Sequence, residues 1–130
     1  MMSLEEEARQ YMQDKLIIEQ VITPDLYESM AGETAIFPEH KALEYLALGL
    51  TSEAGEVAGK VKKLIRDGED KEGFELKKIA ISHEIGDVLW YCAMMAREVG
   101  VPLNTIMREN LEKLHSRKAR GTLQGSGDDR

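Results

Sequence analysis

The chain has 130 residues, 42% hydrophobic and 32% charged, a composition suited to one ordinary globular domain and too short for two. Its formal net charge of −7 argues against a surface for polymeric nucleic acid, because such surfaces neutralise phosphates with clustered Lys and Arg. A single cysteine, Cys92, excludes a disulfide framework, and residues 1–10 carry Glu5, Glu6 and Glu7 with no apolar run, so no signal peptide or membrane span is read and a cytoplasmic location is expected.

In chain order, Tyr11, Met12, Leu16, Ile17 and Ile18 have loosely helical spacing and predict a first helix from residue 4 to about 21, with Thr23-Pro24 as its breaker. Residues 25–38 show no clean period and are read as a short helical turn plus loop, in which Tyr27, Phe37 and His40 could reach a nucleobase or simply pack. Leu43, Leu46, Ala47, Leu50, Ala54, Val57, Val61 and Leu64 recur at three- and four-residue steps and predict a long amphipathic helix. The polar run 66–73, with Gly68 and Gly73, reads as a loop. A further helix is expected from about Phe74 to Val99, with Ile81, Ile85, Val88, Cys92, Met95 and Val99 as its apolar stripe, ended by Gly100 and Pro102. Leu103, Ile106, Met107, Leu111 and Leu114 predict a last helix through about Arg117. The tail 122–130 is glycine-rich and reads as flexible, though such backbone can also wrap phosphate.

Two of these helices carry the same pattern: Glu53-Ala54-Gly55-Glu56-Val57 on the long helix and Glu84-Ile85-Gly86-Asp87-Val88 on the next. Acids three apart share a helix face. At about 100° per residue, Glu53 and Glu56 lie roughly 70° and 130° from the centre of their apolar stripe, and Glu84 and Asp87 roughly 60° and 120° from theirs, on the same side. Antiparallel packing along the stripes, which a short connection favours, would place all four carboxylates in one groove beside the core. One Glu-x-x-Glu is usually solvated helix-face charge. Two in matched positions, each with a glycine where a helix prefers alanine by about 1 kcal/mol, point instead to a metal centre. Four carboxylates need a cation, and Mg2+, with Mn2+ as substitute, takes a few carboxylate oxygens and keeps positions for water or phosphate.

The residues Leu48-Gly49-Leu50-Thr51-Ser52-Glu53-Ala54-Gly55-Glu56-Val57, the later Glu84-Ile85-Gly86-Asp87-Val88-Leu89-Trp90-Tyr91, and Asn110-Leu111-Glu112-Lys113-Leu114 with Arg117 resemble the all-α nucleotide pyrophosphohydrolases of the MazG type. The resemblance spans roughly residues 37–121. It implies Mg2+-dependent hydrolysis of a nucleoside triphosphate to the monophosphate and pyrophosphate, by attack at the α-phosphorus, in a homodimer or homotetramer with pockets near subunit contacts. Apolar side chains spread around the third helix, among them Ile79, Leu89, Trp90 and Met94, also favour an oligomer.

The resulting expectation is a single all-α domain, a MazG-like bundle of four main helices. Glu53, Glu56, Glu84 and Asp87 are the expected metal ligands. With no Ser-His-Asp order, phosphate loop or zinc spacing in the chain, the nucleophile is expected to be a metal-bound water, and Glu53 or Glu56 its base. Lys113 and Arg117, four apart on one helix face and matching the family pattern, are expected to bind the triphosphate, with Asn110 near its sugar or phosphate end. Lys60, one turn past Glu56, either binds phosphate or pairs with Glu56. Tyr91, one turn past Asp87, supports a ligand or touches substrate, whereas Trp90 is expected to point away from the stripe and Cys92 to be a core residue. A metal-binding module without turnover, a purely structural bundle, and hydrolysis of another nucleotide-type pyrophosphate are the alternatives.

Overall fold

The computed structural model describes residues 1–68 and 70–130, and all the regular structure among these is helical, with no strand. Five α-helices follow one another: α1 Leu4–Ile18, α2 Pro24–Gly32, α3 Ala42–Asp67, α4 Lys71–Glu98 and α5 Leu103–Ala119, with a 3-10 turn at Glu39–Lys41 leading into α3. Four match the predicted helices, and α2 is the addition.

Local chemistry sets the boundaries. Ser3 and Glu6 close α1 with reciprocal bonds, the Ser3 amide donating to Glu6 Oε2 at 2.7 Å and the Glu6 amide to Ser3 Oγ at 3.3 Å. Thr23-Pro24, read from sequence as a breaker, starts α2: Thr23 Oγ1 accepts from the Leu26 amide at 3.2 Å and Pro24 occupies the first turn, where its missing N–H costs nothing. Asp70 caps α4 by accepting from the Gly73 amide at 2.8 Å, so helix takes over both ends of the expected loop at 66–73, α3 running through Asp67 and α4 starting at Lys71; position 69 of that loop lies outside the described residues. Gly100, at φ 72°, ends α4 in a Schellman turn, with Val101 N–H donating to Ala96 O at 3.1 Å. The first amide of α5, on Leu103, is held by Glu28 of α2 at 3.1 Å.

The core is the group Ala31, Leu46, Ala93 and Met94, ringed by Tyr27, Ala35, Phe37, Trp90, Tyr91, Met95 and Leu103. It lies where the start of α3, the end of α4, α2 and the start of α5 meet. The α3–α4 hairpin continues beyond it as an antiparallel pair, and α1, with no buried residue, has no close backbone contact with the other helices, only Asp14 and Ile18 lining a cleft with α2 and Trp90.

The seam between α3 and α4 differs from the expected one. Leu46, Leu50, Val57 and Leu64 face α4 as predicted, but Leu43, Ala47, Ala54 and Val61 are exposed, as are Ile85 and Val99 on α4. The seam has rotated towards the acid-bearing side, so Glu53, Lys60 and Glu84 sit half-buried within it. Gly49 permits this approach: a Cβ there would collide with Tyr91 Cε1 and Cζ, so glycine leaves the space that the ring takes against α3. The remaining apolar faces, Leu48 (72% exposed) and Ile65 (81%) among them, are not covered by the other described residues.

Candidate metal centre

Glu53 comes from the middle of α3, and Glu84 and Asp87 from facing turns of α4. Each offers a carboxylate oxygen, and these oxygens lie within 4.8 Å of one another. Of the four expected acids, Glu56 alone does not bring an oxygen within that distance; it is exposed, as Asp87 is, and its charge still reaches Glu53 from one turn away. Partial burial and the charges of Asp87, Glu84 and Glu56 together push the Glu53 carboxyl above its ordinary pKa, the mark of an undercompensated negative site.

One ammonium reaches the cluster. Lys60 Nζ lies 2.9 Å from Glu84 Oε1, on the facing helix, and not against Glu56 one turn before it on α3. That hydrogen bond raises the Lys60 pKa.

Beside the acids is a cleft of about 370 Å³ lined by Thr34, Glu53, Asp87, Trp90 and Tyr91. Tyr91 is where its spacing from Asp87 predicted. Its hydroxyl pKa is raised, first by partial burial, then by the neighbouring Tyr45, and further by Glu53 and Asp87. Trp90 does not point away: its indole N–H donates to Thr34 Oγ1 at 2.8 Å and Ala31 O at 3.2 Å, and its ring meets Tyr91 edge-on at 5.0 Å. Phe37 extends this wall, edge-on to Trp90 at 6.4 Å and stacked on Tyr45 at 5.5 Å. Thr34 and Trp90 escaped the sequence reading because Thr34 lies in a stretch with no period and Trp90 was placed by a stripe that the real seam does not follow. Tyr27 is part of the core ring, while His40 is exposed in the 3-10 turn.

The α5 residues stand elsewhere. Asn110 and Lys113 are exposed and line no part of the cleft, and Arg117 is 6% exposed with its Nη2 donating to Asp128 O at 2.6 Å. The tail, expected to be loose, folds back over the end of α5. Gly121, Gly125 and Gly127 turn it with φ of 69°, 107° and 90°, and Arg120 Nη2 donates to Arg130 O at 3.0 Å. Cys92 is half-buried, and burial pushes its thiol pKa up, as befits a packing residue.

The family model for the MazG nucleotide pyrophosphohydrolase domain matches residues 41–121, which run from the start of α3, through both acid pairs, to the end of α5. The chain belongs to the MazG family. It is also similar to the Gene 37 protein of Mycobacterium phage L5, 44% identical over 114 residues that cover 82% of this chain and 97% of that protein. No solved structure matches it. Membership makes this a pyrophosphohydrolase-type hydrolase at the level of the family, whose members depend on a divalent metal, and the three-acid cluster could hold one. No helix among the described residues is long and apolar enough to cross a membrane.

Proposed function

We propose that the chain hydrolyses a nucleoside triphosphate to the monophosphate and pyrophosphate, with Mg2+ held by Glu53, Glu84 and Asp87. The observation that carries this is the meeting of three carboxylates from two helices beside an aromatic-walled cleft, in a chain of the MazG family. The donors fit the ion. All three are hard oxygen ligands, they leave positions for water and phosphate, and Lys60 already supplies a positive charge where a cation is wanted.

Bound Mg2+ would lower the pKa of a coordinated water and offset charge on the phosphates. The chain's own side chains divide the rest. Glu56, one turn from Glu53 and outside the cluster, is the acid free to take a proton from the attacking water, and its long side chain can reach inward. Glu53, with its raised pKa, is the second candidate for that proton. Tyr91 presents its hydroxyl to the substrate at the cleft wall. Asn110 and Lys113, both exposed, act on the triphosphate from α5 of a second copy in a homodimer or homotetramer, and that assembly also covers the exposed faces of α3 and α4; Arg117, 6% exposed beneath the tail, joins them only once the tail is displaced from it.

The test is pyrophosphate release from a panel of triphosphates, followed by hydrolysis in oxygen-18 water. Label in the nucleoside monophosphate and not in pyrophosphate is the expected result. Inorganic phosphate carrying the label, with a diphosphate product, would make the protein a phosphatase and overturn the reading.

A further inference from the structure

We infer that Lys60 is a tethered counter-ion of the acid cluster: its ammonium holds Glu84 in place in the metal-free protein and competes with the metal for it. The inference rests on the metal-centre reading above and adds a residue outside the ligand set. Four ion pairs occur among the described residues, and three of them, Lys41–Glu44, Arg66–Asp67 and Lys78–Glu75, join residues within three positions of one another in the chain, with side chains about half or more exposed. Lys60–Glu84 alone crosses between helices, at 2.9 Å, with side chains only 25% and 18% exposed. A long side chain gives up rotamer freedom to be held like this, and the contact persists where the local charge makes it worthwhile.

The charges make the case. Three carboxylates share a space in which their oxygens lie within 4.8 Å of one another, and one ammonium answers them, which leaves two negative charges uncompensated. A divalent cation supplies that difference, but next to Lys60 it meets a like charge. Metal entry therefore favours release of the ammonium from Glu84, and the four-carbon stem of lysine lets the head move without disturbing α3. Lys60 so displaced stays one turn from Glu56, beside the phosphates that the metal would bring. Its two sequence readings, ion-pair partner and phosphate ligand, then describe the protein before and after metal binding.

Mn2+ binding to the full chain without nucleotide, followed by the EPR signal of free Mn2+, tests this directly. Lys60→Met should bind Mn2+ about fivefold or more tightly than wild type, because a like charge has left the site. Its metal-free melting temperature should fall while the increase on adding Mn2+ grows. Lys60→Arg keeps the charge and should return the affinity to within about twofold of wild type. A merely structural lysine gives the opposite sign, with Lys60→Met binding equally or more weakly, and that result overturns the inference. Lys60→Gln serves in its place if the methionine variant loses its helical circular dichroism. Glu84→Gln separates the two levels: if it binds Mn2+ as wild type does, or wild type binds none, the metal-centre reading has failed; if it binds weakly and Lys60→Met is no tighter than wild type, only the role of Lys60 has.

Discussion

Glu53-Ala54-Gly55-Glu56-Val57 and Glu84-Ile85-Gly86-Asp87-Val88 share spacing and helical register, yet the second delivers both acids to the cluster and the first only one. The difference arises just downstream. Three and four residues past Asp87 stand Trp90 and Tyr91, which wall the cleft and press against α2 and α3. The same positions past Glu56 are Gly59, beside which an added Cβ would meet nothing within 4 Å, and Lys60, which reaches across to the other copy. One copy is fixed by packing and the other by charge. On the proposed reading a repeated motif would thus supply unlike parts, ligands from one copy and a ligand plus a free acid from the other.

Substitutions that separate the copies test this division, and the largest effect belongs to the packed one. Asp87→Ala should abolish turnover and weaken Mn2+ binding by more than about a hundredfold, since even residues behind a ligand cost ten- to a hundredfold, with helical circular dichroism unchanged. Glu56→Gln should lower turnover about 10²–10⁴-fold, the range of a lost general base, while Mn2+ affinity stays within about threefold of wild type. Calorimetric or EPR titration of both variants decides between the asymmetric arrangement and a symmetric one in which Glu56 is a fourth ligand. Equal loss of metal affinity in the two would restore the symmetry.

Glu53 sharpens the comparison through pH. Its folded pKa lies above the ordinary value of 4.5, so between those limits the folded chain binds more protons than the unfolded one. Stability therefore falls as pH rises through that window and stays lowered above it. Without metal, Glu53→Gln should melt higher than wild type at pH 7, and the gap should close as pH drops towards 4.5. With saturating Mn2+ at pH 7 the order should reverse, because the variant has lost a ligand. Melting curves across pH, with and without Mn2+, check both signs.

How far the sequence could be read follows the same contrast. The helix types, the pairing of α3 with α4 and the nearness of Glu53, Glu84, Asp87 and Tyr91 to one another were legible, since they depend on period and spacing within each helix. The place of Glu56 was not, because it depends on how far the seam turns, and that was set by Gly49 under the Tyr91 ring, a contact 42 residues apart in the chain. The partner of Lys60 was missed for the same reason: Glu56 was the nearest acid in sequence and Glu84 the nearest across the seam. Thr23-Pro24 carried a correct signal read with the wrong polarity, since the pair that stops one helix can cap and open the next. For Arg117, spacing gave its helix face but could not show the tail folding over it.

The smallest expected effect isolates the packing that fixes the second copy. Trp90→Phe keeps an aromatic wall but deletes the N–H that donates to Thr34 Oγ1 and Ala31 O, and leaves the Thr34 side chain and a partly filled space behind. The loss of stability should be about 1–2 kcal/mol, one neutral hydrogen bond plus a modest packing defect. Turnover should fall less than about tenfold, because Asp87 keeps its helix and the ring face toward the cleft remains. Denaturant melts give the first quantity and initial rates the second. A fall in Mn2+ affinity as large as that of Asp87→Ala would mean the indole hydrogen bonds, and not the helix alone, hold Asp87 in the cluster. The packed copy would then depend on a single anchor, as the other does on Lys60.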